Sequence, residues 1–478
     1  MIEAPSFPTV LLSPVLREIP ASARGDMRVP VRIYADDELW RQIANDRSLE
    51  QAVNVTTLPG VTGYVYAMPD VHEGYGFPVG GVAATRTSDG VISPGGVGYD
   101  INCGVRLLAS DLAFESVAPR LEAVVHELSR SIPSGPGRNP KLDLTGPDLD
   151  RVLRDGCRFM VERGLALPED LTTLEAGGVL DGADAGQVST KAKQRGHDQL
   201  GTIGSGNHFV EVQVVDRVFD DAAAAAYGLR VGQLTMLIHT GSRGLGHQVC
   251  TDYVRRMDQV MAEYGITLPD RQLACAPLSC AEGRAYFGAM CAAANFAWSN
   301  RQAITFSARR VFSRAFGAAG ALRVVYDVAH NIAKLERHGG AMLCVHRKGA
   351  TRAFGPSHPE TPEPYRSVGQ PVFIPGSMGT ASYVLAGTDE ALERSFGSAC
   401  HGAGRVMSRG EAKRLRTGAE IRRELEGRGI VVRCPSSTGL AEEAPTAYKD
   451  VERVVDVVHR AGLARKVARL RPVGVVKG

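Results

Sequence analysis

Fifty-four of the 478 residues are glycine, and they gather beside polar residues instead of spreading as a low-complexity repeat. A residue without a β-carbon permits tight turns and close backbone approach that other residues forbid. The polar glycine clusters are distributed from end to end, with neither an internal repeat nor a clear domain seam between them. This distribution favours one large intertwined α+β domain over a string of separate modules. We place that domain at residues 27–478 and read residues 1–26 as a loose N-terminal extension.

Composition excludes several other classes. With 44% hydrophobic and 22% charged residues, the chain belongs among folded globular proteins and can bury a substantial core without disulfides or a structural metal. No run reaches the roughly 18 apolar residues that a membrane-spanning helix needs. The longest N-terminal candidate, Val10–Leu16, is short and contains Pro14. A cytoplasmic location is expected. Nine cysteines, odd in number and without a C-x-x-C pair, argue against a disulfide framework. Residues 401–478 carry a net charge of +8, against −5 for the first 400. Such an excess is compatible with a polyanion such as RNA, but solvated arginine-rich helix faces are its more frequent cause.

Local patterns supply the elements. Met27–Tyr34 alternates like an edge strand containing Pro30, and Asp36 or Asp37 offers an N-cap for a helix through Trp40 and Ile43. Residues 60–110 read as short strands and tight turns. Leu121–Ser131 reads as a helix, and Ala281–Arg314 as one long helix or a pair. Val451, Val454, Val455 and Val458 mark a further helix, followed by a short Val-rich tail. Residues 133–137 and 177–186 are candidate mobile surface loops.

Several polar turns can carry chemistry. Gly95–Gly104 sets Asp100 and Cys103 three residues apart among glycines, half of a mixed oxygen and sulfur metal site. Three histidines, His208, His239 and His330, each lie where a short apolar run meets a polar turn, as a strand does when it hands a side chain to a shared cleft. Carboxylate, thiolate and neutral imidazole together suit Mn, Zn or Fe and not Ca. Alone, an Asp here would be a turn former, and the Cys and each His a buried structural residue. His401, in Ser398–Arg405, is followed by small residues and Arg405. That arrangement suits a phosphate-binding turn, and a neutral imidazole there is also a competent nucleophile towards phosphorus. Residues 375–382 and 346–352 form further anion-type loops. None of these loops matches a Walker A or dinucleotide fingerprint. Asp70 remains open as an acid–base group, whereas His72 reads as structural.

Taken together, the stretches beginning at Met68, Ser93, Gly201, His239, Asp327, His346, Pro371, Ser398 and Glu442, with the closing Gly474-Val-Val-Lys-Gly478, resemble the RtcB family of RNA ligases. The resemblance extends from about Met27 to Gly478, with the motifs in family order. It implies a fold of the RtcB type with a central metal and nucleotide cleft, and joining of RNA 3′-phosphate or 2′,3′-cyclic phosphate ends to 5′-hydroxyl ends with GTP and two Mn²⁺ ions. By the same resemblance Cys103 would bridge the ions, with Asp100 and His208 on one and His239 and His330 on the other. His401 would be the guanylylated nucleophile, with Asp70 and Arg405 beside it in catalysis. The guanylate pocket would comprise Asn207, His208, Phe209, Val210, Glu211, His330, Asn331, Pro375, Gly376, Ser377, Met378, Ser382, Tyr448 and Lys477, with His401, Gly402, Ala403 and Gly404 on the phosphate side. Arg243, Lys348 and Arg352 would touch RNA phosphates. An archease-type activator is a further implied partner. Departures are small: Ala399 stands where many members have Thr, and Val210 replaces Leu.

Two other functions use part of this residue set. A dinuclear metallo-phosphoesterase acting on RNA ends needs the metal ligands but not His401 or a guanine pocket. A catalytically silent RNA-binding relative would have lost a ligand or His401, and the sequence has lost neither.

Overall fold

Two sheets and one long buried helix frame the molecule in the computed structural model, which describes residues 6–135 and 144–478. In the larger sheet, Leu322–Ala329 lies beside Gly104–Ala113, followed by Gln233–Thr240, Phe209–Val218, Ala464–Lys477, Ser382–Gly387 and Pro371–Ile374. All these neighbours are antiparallel. Val431–Arg433 adds to the C-terminal strand in parallel. Side chains alternate between faces along a strand, so Val105, Leu107 and Ala109 enter one core while Leu108 enters the other. The sheet is therefore covered on both sides, which explains its nearly continuous apolar strands.

The second sheet runs in the order Val10–Ser13, Leu16–Ile19, Val31–Tyr34, Val61–His72, Val79–Arg86, Ala341–Lys348 and Asn331–His338. The chain passes from the larger sheet into this one at His330, between Leu322–Ala329 and Asn331–His338. The mixed α and β architecture expected from the sequence is what the structure contains. Among the described residues no helix is long and apolar enough to cross a membrane, and all nine cysteines are free.

Several local expectations hold. Asp36 caps the helix Asp37–Ile43 by accepting from the Leu39 amide. Leu121–Ser131 is helical over those residues, and Asp450 caps Val451–Arg460. The Ala-rich segment is one helix of 36 residues, Ala281–Phe316. Its small side chains allow close packing, and most of its middle is buried.

Other expectations are corrected. Residues 10–19, read as part of a loose extension, form a hairpin paired to Val31–Tyr34. That strand is accordingly internal rather than an edge, and Pro30, which lacks an amide donor, lies just before it. The Val-rich tail belongs to a 14-residue strand, Ala464–Lys477. The 177–186 loop is tied to the long helix, with Leu180 N donating to Asn295 Oδ1 (2.8 Å) and Asp184 N to Gly288 O (3.0 Å). Of the 133–137 loop, residues 136 and 137 lie outside the described residues.

Candidate functional site

Antiparallel order decides where the polar turns meet. Ala329 pairs with Gly104, Gly104 with Thr240, and His239 with Phe209. One strand ends, the next begins, the third ends and the fourth begins, all at the same edge of the sheet. His330, Cys103, His239 and His208 occupy those four ends and are brought together. Lys477 pairs with Phe209 and adds the C-terminus to the same edge.

The donor atoms converge closely. Cys103 Sγ lies 3.3 Å from His239 Nε2 and 3.4 Å from His208 Nε2. His239 Nε2 lies 3.3 Å from His330 Nε2, and Asp100 Oδ2 is 2.8 Å from His208 Nε2. Two three-residue groups result, Cys103 with His239 and His330, and Asp100 with Cys103 and His208. Cys103 belongs to both. Donors roughly 2.0–2.3 Å from one ion fall about 3–3.7 Å apart, as the sulfur–imidazole and imidazole–imidazole pairs do here, and Asp100 approaches His208 slightly closer.

The surrounding chemistry fits a metal. His208 Nδ1 is 3.1 Å from the Ile203 carbonyl, an arrangement that leaves Nε2 the unprotonated ring nitrogen when Nδ1–H donates. Nδ1 of His239 and Nδ1 of His330 are buried without hydrogen-bond partners. Burial holds both imidazoles well below their ordinary titration range, so they are neutral and ligand-competent. Burial and then Asp100 raise the Cys103 thiol well above its usual value, a cost that a cation at the thiolate would reverse. Burial also penalises the Asp100 carboxylate, but positive charge at His208, which a bound cation would take over, and Arg243 outweigh it and keep the acid below its ordinary range. Gly241 permits this packing, since a β-carbon there would approach Asp100 Oδ1 to 2.5 Å.

His401 stands next to the cluster, its ring centroid 4.7 Å from that of His330. Its Nδ1 is 2.6 Å from Asp70 Oδ2, and the same oxygen accepts from the His401 and Gly402 amides at 3.1 and 3.3 Å. Asp70 is fully buried. An ionised carboxylate at Nδ1 selects the tautomer with its proton there and leaves the lone pair on Nε2. Lys449 braces the backbone on both sides of Asp70 through the Pro69 and Val71 carbonyls, the former at 3.2 Å. Gly404, at φ +76°, fits against Asp70 because its β-carbon would come 2.2 Å from the Asp70 carbonyl oxygen. His72 turns its Nδ1 to the Asp70 carbonyl (2.9 Å), and burial lowers it to about 4.

A cleft of about 360 Å³ joins these groups. Asp100, Cys103, Asn207, Phe209, His239, His330, Asn331, Pro375–Met378, His401–Arg405, Tyr448 and Lys477 line it, and Asp70 is buried behind His401. Asn331 ties two loops together, donating to Asp100 O (3.1 Å) and accepting from Gly349 N (2.9 Å). Lys477 donates to the carbonyls of Gly206 and His208, the latter at 3.0 Å. Glu211 and Ser382 lie behind the wall. Gln213 Nε2 bonds both, and Ser382 Oγ accepts from the Gly376 amide at 3.2 Å. Burial pushes the Glu211 carboxyl up to about 8.

Three residues sit differently from expectation. The Val210 side chain packs in the hydrophobic core, because strand alternation turns it away from Phe209 and Glu211. Arg352, expected at an RNA phosphate, is 1% exposed and spends its guanidinium on Gln370 and Glu360. It is a core cation outside the cleft. Lys348 lines the cleft, but its ammonium donates to the Tyr75 and Phe77 carbonyls, and burial lowers it to about 7. Arg243, by contrast, lines a second groove of about 690 Å³ with Arg195, His247, Tyr99 and Arg409. Tyr99 and Arg409 also belong to the cleft, so the two spaces adjoin.

The sequence missed Glu443 and Arg409, both in the cleft wall. Arg409 follows Arg405 by four residues, and Glu443 opens the Ala-Pro-Thr-Ala-Tyr-Lys-Asp stretch. Neither had a local sign distinguishing it from a solvated surface charge.

Comparison with known proteins identifies a family over most of the chain. The model of the family described as tRNA-splicing ligase RtcB matches residues 51–478. A tRNA-splicing ligase RtcB of Archaeoglobus fulgidus is 54% identical over 468 residues, covering 96% of this chain and 97% of its own. One from Thermococcus kodakarensis is 54% identical over 459 residues, covering 95% of each. An RNA-splicing ligase RtcB of Mycobacterium tuberculosis is 56% identical over 437 residues, covering 90% of this chain and all of its own.

Proposed function

Since the chain belongs to the RtcB family of tRNA-splicing ligases, we propose that it is an RNA ligase that seals 3′-phosphate or 2′,3′-cyclic phosphate ends to 5′-hydroxyl ends through a histidine–GMP intermediate. The physiological setting is tRNA splicing or RNA repair. The 2.6 Å contact of Asp70 Oδ2 with His401 Nδ1, beside the Cys and His cluster, is the observation that carries this function.

His401 Nε2 attacks the α-phosphorus of GTP, forming a P–N bond as the P–O bond to pyrophosphate breaks. Asp70 stabilises the positive charge that develops on the imidazole, in the manner of the carboxylate in other His–Asp pairs. Arg405 offsets charge on the phosphate side. An RNA 3′-phosphate oxygen then takes GMP from His401, and Nε2 regains its lone pair. Attack of the 5′-hydroxyl oxygen on the activated 3′-phosphorus forms the diester and expels GMP. Asp100, Cys103, His208, His239 and His330 would hold two divalent cations, manganese in this proposal, which supply Lewis-acid stabilisation of phosphoryl oxygens when bound. Asn207, Phe209, Tyr448, Lys477 and the loop Pro375–Met378 would hold the guanylate, with Glu211 and Ser382 supporting that wall. Arg243 and the adjoining groove, with Arg195 and Arg409, would receive RNA phosphates.

The test is covalent capture of GMP. Incubation with α-labelled GTP and Mn²⁺ should leave acid-labile label on the wild-type chain and none on His401→Ala. Full labelling of His401→Ala refutes the assignment, and hydrolysis of RNA ends without any labelling makes the protein a phosphoesterase.

A further inference from the structure

One buried carboxylate gathers the polar groups of the cleft wall that carries Arg405 and Tyr448. Glu443 has a side chain 2% exposed and follows the helix Ser437–Glu442. It accepts from Arg405 Nη1 at 3.2 Å, from Arg409 Nε at 2.9 Å and from the Tyr448 hydroxyl. Arg405 Nη1 also donates to the Tyr448 oxygen at 3.2 Å, closing a three-membered ring of Arg405, Tyr448 and Glu443. The remaining guanidinium donors of Arg405 reach only neutral carbonyls, Glu442 O at 2.9 Å and Met407 O at 3.1 Å. Among the described residues Glu443 is thus the single charged acceptor that orients Arg405. Burial opposes its ionisation, but Lys477, Arg409, Tyr448 and Arg405 together keep it ionised below the usual carboxylate range.

A merely structural ion pair would sit away from the reacting groups, whereas all four of these side chains line the cleft that contains His401. A carboxylate in that wall also carries a cost, because it adds negative charge where a triphosphate must bind. We infer that Glu443 is a positioning residue for the guanylylation proposed above, on which this inference rests: it fixes Arg405 and Tyr448 in the wall of the cleft at the expense of GTP affinity.

Position and charge therefore have opposite effects, and two variants separate them. Glu443→Gln keeps the side-chain size but removes the charge and one strong acceptor. It should guanylylate His401 about tenfold or more slowly while its KM for GTP stays equal or falls by about two- to fivefold. Glu443→Asp keeps the charge on a shorter arm, and should slow guanylylation with KM unchanged. A parallel loss of rate and GTP affinity in both variants, or wild-type rates in both, overturns the inference. If Glu443→Gln does not fold, the rate and KM of Glu443→Asp alone decide. Absence of label on the wild-type chain is a different failure, since it removes the proposed function itself and the role of Glu443 with it.

Discussion

The layer beneath the cleft and the residues around the metal-type donors bury polar side chains differently. In the layer, Asp327 meets Arg106 at 2.7 Å and Arg301 at 2.8 Å, all three with fully buried side chains. Arg301 then donates to the Asn102 and Thr240 carbonyls at 2.9 and 2.8 Å. Those residues adjoin Cys103 and His239, and Asp327 lies three residues before His330. A single guanidinium on the long helix thus clamps the three chain segments that deliver the metal-type donors. Around the cleft, Nδ1 of His239, Nδ1 of His330, Oδ1 of Asp70 and Oε1 of Glu211 are buried without hydrogen-bond partners. In the layer, charge is matched by opposite charge, the Nη2 of Arg106 apart, whereas around the cleft several buried polar atoms have no protein partner.

The strongest way to break this contrast is to unpair the layer. Asp327→Asn leaves two buried guanidinium groups short of an anion and should cost about 3–5 kcal/mol of unfolding free energy, read by urea denaturation. A loss below about 1 kcal/mol would show that the layer is not scaffold.

In the wall the sign reverses. Because burial raises the Glu211 carboxyl from 4.5 to about 8, the folded state holds a proton that the unfolded chain has released between those values. Its stabilising contribution is full below about pH 4.5 and is lost as pH rises towards 8, with a slope of up to about 1.4 kcal/mol per pH unit. Glu211→Gln should remove that slope and be more stable than the wild type at pH 8. Identical pH dependence in the two proteins would sink the assignment.

The smallest effect is expected in the groove. Arg195 is exposed, and its recorded partner is the neutral Gln248 Oε1 at 3.0 Å. Arg195→Ala should leave stability within about 0.5 kcal/mol of wild type. It should also lower the salt dependence of RNA binding by about 0.7 in log–log slope, measured by titration with a labelled oligonucleotide. An unchanged slope would remove Arg195 from the RNA path.

Much of the site was legible because its signals are local. A carboxylate three residues from a thiol in a glycine-rich turn, and three histidines at strand–turn junctions, are properties of short segments. The same local signs could not separate Arg352 from Arg405, since both follow a polar turn and only packing shows that one guanidinium is enclosed by Glu360 and Gln370. The hairpin at residues 10–19 was missed because its outer strand exposes Val10, Leu11 and Leu12 and lacks the alternation of a half-buried strand.

The sequence alone determined the residue types, the turns that bear them and hence the kind of chemistry available, because backbone freedom at glycine and side-chain ionisation are settled within a few residues. Convergence was decided by tertiary structure. Pairing of Gly104 with Ala329 and Thr240 joins segments more than one hundred residues apart in the chain, and pairing of His239 with Phe209 adds a fourth strand to them. Register between distant strands is fixed by the cores on the two sheet faces, a property of the whole fold that no short window contains.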